Sequence, residues 1–82
     1  MDINYIAQRV SQLLNMPVAD VWLPGRYKNQ VTARSIICFW AVRELGASMT
    51  SLARRFNISE VAISKSVKRG TEIVKEKGYE LI

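Results

Sequence analysis

The sequence predicts an all-α fold: a five- or six-helix orthogonal bundle forming one domain over residues 1–82. Three observations point there. Apolar residues recur at three- and four-residue spacing along most of the chain, which is the period of a helix and not of a strand. Asp, Ser, Pro, Asn and Gly interrupt these runs where helix ends belong. An 82-residue chain that is 49% apolar can fill one core and no more.

Ile3, Ile6, Ala7, Val10, Leu13 and Leu14 define the first amphipathic helix, with Asp2 as its N-cap. It stops at Met16-Pro17, because the residue before proline disfavours helical backbone. Pro17 suits the first turn of a short second helix ending at Trp22, with Val18, Val21 and Trp22 inward. Leu23 to Lys28 then reads as a turn and a basic loop. A third helix runs from about Asn29 to Leu45, apolar at Val31, Ile36, Ile37, Phe39, Trp40, Ala41, Val42 and Leu45. A helix apolar around most of its circumference is a central one. Gly46 ends it, and Cys38 within it is expected to be a small core side chain, not a reactive thiol.

Ser48 or Ala47 opens a fourth helix, Met49 to Phe56, with Met49, Leu52, Ala53 and Phe56 on one face. Ser59 caps a fifth helix from Glu60 to about Lys77, whose inward stripe is Ile63, Val67, Gly70 and Val74. Gly70 inside a helix costs about 1 kcal/mol relative to alanine. Close packing against the first helix would explain it, and so would a break with Thr71 capping a sixth helix.

Composition removes whole classes of function. The chain has no histidine and a single cysteine. That excludes histidine-based triads, histidine acid–base chemistry, an intrachain disulfide and a zinc site. No catalytic residue, metal or cofactor is expected. The longest apolar run, Ile36 to Val42, is seven residues, against the roughly 20 that span a bilayer. Asp2 stands where a signal peptide would be basic, so secretion is not expected and a reduced, cytoplasmic protein is.

Charge is unevenly placed. Residues 26–69 carry nine Lys and Arg against two Glu, a net of +7 within a chain whose total is +5. A basic block flanked by a slightly acidic remainder is the electrostatic footprint of a nucleic-acid-binding domain.

Residues 49–68 (MTSLARRFNISEVAISKSVK) fit a helix-turn-helix. Ala53 is small where the two helices would cross. Asn57 occupies the turn position that needs positive φ, where asparagine is the best substitute for glycine. Ile58 plugs the turn, Ile63 and Val67 bury the second helix, and Ser66 is small on the same face. In such a motif the second helix enters the major groove and its first outward residues reach base edges. Here those are Ser59, Glu60, Val61, Ser64, Lys65 and Lys68. Ser64 and Lys65 suit bases or phosphates, and Val61 suits a thymine methyl. Glu60 is either an acceptor for cytosine or a partner of the helix dipole. Lys68 and Arg69 lie deeper and grip phosphate. Ser48, Thr50 and Ser51 at the start of the fourth helix hold another phosphate. Arg55 reads as a solvated charge.

With these residues in view, the chain resembles the C-terminal DNA-binding domain of the bacterial replication initiator DnaA, a Trp-repressor-like fold, over about residues 3–74. Val31 to Leu45, Ser51 to Phe56 and the recognition helix carry the resemblance. It is more similar to the variant of this domain at the C-terminus of REP-associated tyrosine transposases. That similarity runs through Ala33-Arg34, Cys38 to Gly46, Leu52 to Arg55 and Ser64 to Gly70. The initiators' Asp-His-Thr-Thr-Val signature is replaced here by Ser59-Glu60-Val61-Ala62-Ile63, so origin-box specificity is not implied. Arg26 and Lys28 match in charge the loop that reaches the minor groove in initiators. The transposases' His-hydrophobic-His metal site has no counterpart, so the resemblance implies their binding module only.

The expectation is therefore a non-catalytic module that binds double-stranded DNA, with no membrane or small-molecule partner. The sequence leaves open a homodimer, and fusion to a catalytic domain. The alternative is a helical protein-interaction or dimerisation module, using Ile36, Trp40, Trp22 or Tyr27 at a partner surface.

Overall fold

The computed structural model describes residues 2–23, 25 and 27–81, and all their regular structure is helical. Asp2 caps the first helix, α1 (Ile3–Leu14), by accepting the Tyr5 N–H at 2.9 Å. Asn15, at φ 53°, closes α1 in the left-handed region, and the Met16 N–H returns to the Ser11 carbonyl at 3.0 Å. The expected second helix is a single 3-10 stretch, Val18–Trp22, with Pro17 as the extended residue before it. Five residues give no room for an established α-helical ladder, so the tighter i→i+3 turn forms instead. Val21 from this stretch is fully buried.

The second α-helix, α2 (Lys28–Leu45), starts one residue earlier than the spacing suggested, so Lys28 is its first residue and not part of the loop. Helix α3 spans Met49–Phe56 and α4 spans Glu60–Lys77. Among the described residues there are thus four α-helices and one 3-10 turn. Helix α4 is continuous through Gly70, and the Thr71 hydroxyl donates to the Val67 carbonyl at 2.9 Å instead of capping a sixth helix.

Helices α2 and α4 are 18 residues each, about 27 Å at 1.5 Å per residue, so both run the full width of a molecule measuring 26 × 24 × 23 Å. Their mutual contact is the largest in the molecule, and α1 covers another side of α2. Ala33, Ser35, Ile36, Ile37, Cys38, Trp40 and Ala41 of α2 are all buried. The core is completed by Ile6, Ala7 and Val10 of α1, Leu52 and Phe56 of α3, and Ile63 of α4.

Gly70 explains how α2 and α4 come so close. A Cβ there would overlap the Ser35 carbonyl and lie 2.8 Å from Phe39 Cβ. Its partner is therefore α2, not the first helix as one reading of the sequence held. Ser35 satisfies its own buried hydroxyl by donating to the Val31 carbonyl at 2.8 Å. Burial pushes the Cys38 thiol up to about 12, a shift the nearby Arg34 guanidinium partly opposes, so the thiol stays neutral and inert at neutral pH.

Candidate nucleic-acid interface

The α3–α4 unit is built by short-range chemistry. Ser48 caps α3 by accepting the Ser51 N–H at 3.0 Å, and Ser59 caps α4 by accepting the Ala62 N–H at 3.1 Å. Between them Asn57 adopts φ 57° and ψ 47°, and the Ile58 N–H donates to the Ala53 carbonyl at 3.0 Å. That backbone bond satisfies a helix-end carbonyl and turns the chain, and Ile58 packs its side chain against the core. Phe56 is buried beside Trp22, with ring centroids 5.2 Å apart.

Ser59 at the cap of α4 and Glu60, Val61, Ser64, Lys65, Lys68 and Arg69 on it are all exposed. At about 100° per residue, Val61, Lys65 and Lys68 project within about 60° of one another, with Ser64 to one side and Arg69 to the other. Val61 is 66% exposed, one helical turn before Lys65. Glu60 borders this arc on the Ser64 side, about 40° beyond Ser64. It accepts the Thr50 hydroxyl at 3.2 Å and sits in the first turn of α4, so it ties the two helix starts together and complements the helix dipole.

Ser48, Thr50 and Ser51 do come together. With Ile3, Arg54 and Arg55 they line a groove at the start of α3. Two of the three hydroxyls have intramolecular partners, Ser48 as cap and Thr50 on Glu60. Arg55 is exposed, as expected of a solvated charge, but it is not without contacts. Its guanidinium lies over the Trp22 ring, 4.3 Å from the centroid, and reaches Asn4 Oδ1 at 3.4 Å. Lys28 is exposed at the first turn of α2, and Arg26 lies outside the described residues.

Among the described residues the one ion pair is Arg43 with Glu44, at 3.8 Å. Lys65, Lys68, Arg69, Arg34 and Arg54 therefore form no direct ion pair with a carboxylate among the described residues. Arg54 and Arg34 are cationic positions that the motif alone did not single out. Arg34 had a signal: it is the only charged residue between Lys28 and Arg43, in a helix otherwise headed for the core.

Among the described residues, no three His, Cys, Asp or Glu side chains come close enough to hold a metal ion, and no helix is long and apolar enough to cross a membrane. Comparison of the chain with protein-family models, with curated proteins and with solved structures finds no match.

Proposed function

We propose that the chain is a non-catalytic module that binds double-stranded DNA through a helix-turn-helix, α3 and α4, with the first half of α4 in the major groove. The observation that carries this reading is the outward arc of α4. It sets Val61, Ser64, Lys65 and Lys68 side by side, exposed and free of acidic partners. A thymine methyl, base edges and phosphates are what such a mixed set recognises. The resemblance to initiator and transposase DNA-binding domains supports the same reading, within a Trp-repressor-like orthogonal bundle and, by extension, a bacterial nucleoid setting. Ser48, Thr50 and Ser51 at the α3 start, with Arg26 before α2 in sequence and Lys28 at its start, are proposed as flanking phosphate contacts. Glu60 is assigned a positioning role through Thr50.

The competing protein-interaction reading is weakened by burial. Ile36 and Trp40 are already inside this chain, and Trp22 is covered by Phe56 and Arg55, which leaves Tyr27 as its exposed aromatic.

A titration of labelled duplex at several salt concentrations tests the proposal. About six phosphate contacts give a log–log slope of about −5, and Lys68→Ala lowers affinity for every duplex alike while reducing the slope by about 0.9. A salt-independent response would remove the electrostatic basis of the reading.

A further inference from the structure

Between α2 and α4 lies a hollow of about 210 Å³ whose floor is Val31, Ile58 and Ala62 and whose polar groups are Arg34, Lys65, Arg69 and Ser66. Three cations line it and no carboxylate does. Arg34 Nη1 is cut off from solvent and has no hydrogen-bond partner among the described residues. Lys65 and Arg69 are one helical turn apart, so both project toward the same wall. Ser66, only 9% exposed, adds a hydroxyl. A desolvated guanidinium nitrogen without an acceptor is costly, and two further like charges at the rim raise that cost. An oxyanion would relieve both: the guanidinium presents paired N–H donors, and Lys65 and Arg69 supply point charge.

We propose that this hollow is a phosphate-binding site, with Arg34 as its central residue. The same chemistry is offered by a backbone phosphate of a duplex, which rests on the DNA reading above, and by free inorganic phosphate, which does not. Arg34 adds to that interface a position in the interior of α2, beyond Lys28 at its start.

The test has two arms, both on the full chain. In the first, 15N-labelled protein is titrated with inorganic phosphate against chloride at matched ionic strength. Saturable shifts at the Arg34 Nε and the Ala62 and Ser66 amides are expected with phosphate alone. In the second, the salt slope of duplex binding is compared for the wild type, Arg34→Met and Arg69→Gln. Met keeps the stem of Arg34 and removes its charge, and the exposed Arg69 gives a variant that does not threaten folding. Each is expected to reduce the slope by about 0.9 and to weaken all duplexes alike. A slope reduced by Arg34→Met as well as by Arg69→Gln, with or without phosphate shifts, assigns the site to a backbone phosphate, whereas a slope reduced by Arg69→Gln alone with no phosphate shift overturns it. Phosphate shifts with the slope unchanged, or with no duplex bound by the wild type, assign it to a free anion, and in the latter case the DNA reading falls while the site stands. Duplex binding with unchanged slopes and no phosphate-specific shift overturns the site and leaves the DNA reading intact. Silence in both arms overturns both.

Discussion

Helices α2 and α4 are equal in length and packed on each other, yet their sequences divide the work of the molecule between them. The middle of α2 is buried on nearly every side, and its one interior charge, Arg34, reaches a hollow shared with α4. Helix α4 buries Ile63, Ser66 and Gly70 along one stripe and leaves the opposite side of its first half to solvent. Stability is therefore concentrated in α2 and its neighbours, while the surface free to recognise a partner is concentrated on α4. Substitutions separate the two if this division is correct.

The largest effect is expected from the α2 side. Ile36→Ala removes a fully buried side chain and should cost about 2–5 kcal/mol. At about 4–8 °C per kcal/mol for a domain of this size, the thermal midpoint by circular dichroism falls by about 8 °C or more. Gly70→Ala sets two effects against each other at the α2–α4 contact. Helix propensity favours alanine by about 1 kcal/mol. The added Cβ meets the Ser35 backbone, which has no flexible end to move aside, and overpacking of that kind costs about 1–3 kcal/mol or more. Net destabilisation is expected, and a raised midpoint would mean that the helices are not in such close contact.

Asn57→Ala probes the joint between recognition surface and core. A Cβ-branched penalty does not apply, but alanine in the left-handed region loses the local compensation that asparagine has, at a cost of about 1 kcal/mol. Asn57→Gly should be close to neutral, and equal losses from both would point to the asparagine side chain instead of its backbone angle. The smallest stability effect belongs to the outward arc of α4. Lys68→Ala and Val61→Ala should change the midpoint by less than about 0.5 kcal/mol equivalent, since neither side chain contributes to the core. A large loss of stability from either would break the proposed division.

The parts of this fold that were legible in the sequence are those fixed by neighbours in the chain. Ser48, Asn57 and Ser59 act within three or four residues of themselves, so the bounds of α3 and the start of α4 could be read directly. Asn15 performs the same terminating role at α1 but was obscured by Pro17, whose restriction gave a sufficient reason for the helix to stop. Pro17 is also compatible with either an α- or a 3-10 start, so the sequence could not decide the form of Val18–Trp22. Contacts between distant positions were not legible. Gly70 advertises close packing without naming its partner, and which helix it meets depends on the whole bundle. The stacking of the exposed Arg55 on Trp22, 33 residues earlier, was not legible because only the tertiary fold brings the ring beneath it. Arg34 was visible as an isolated charge, but its place beside Lys65 and Arg69 arises from the crossing of α2 and α4.

The central claim is that the exposed arc of α4 reads double-stranded DNA. Selection of bound duplexes from a random library by the wild-type chain tests it most directly. Enrichment of a common short site, changed in sequence by Lys65→Ala, is the predicted result. A recovered pool with no sequence in common and no enrichment over the input would contradict the claim.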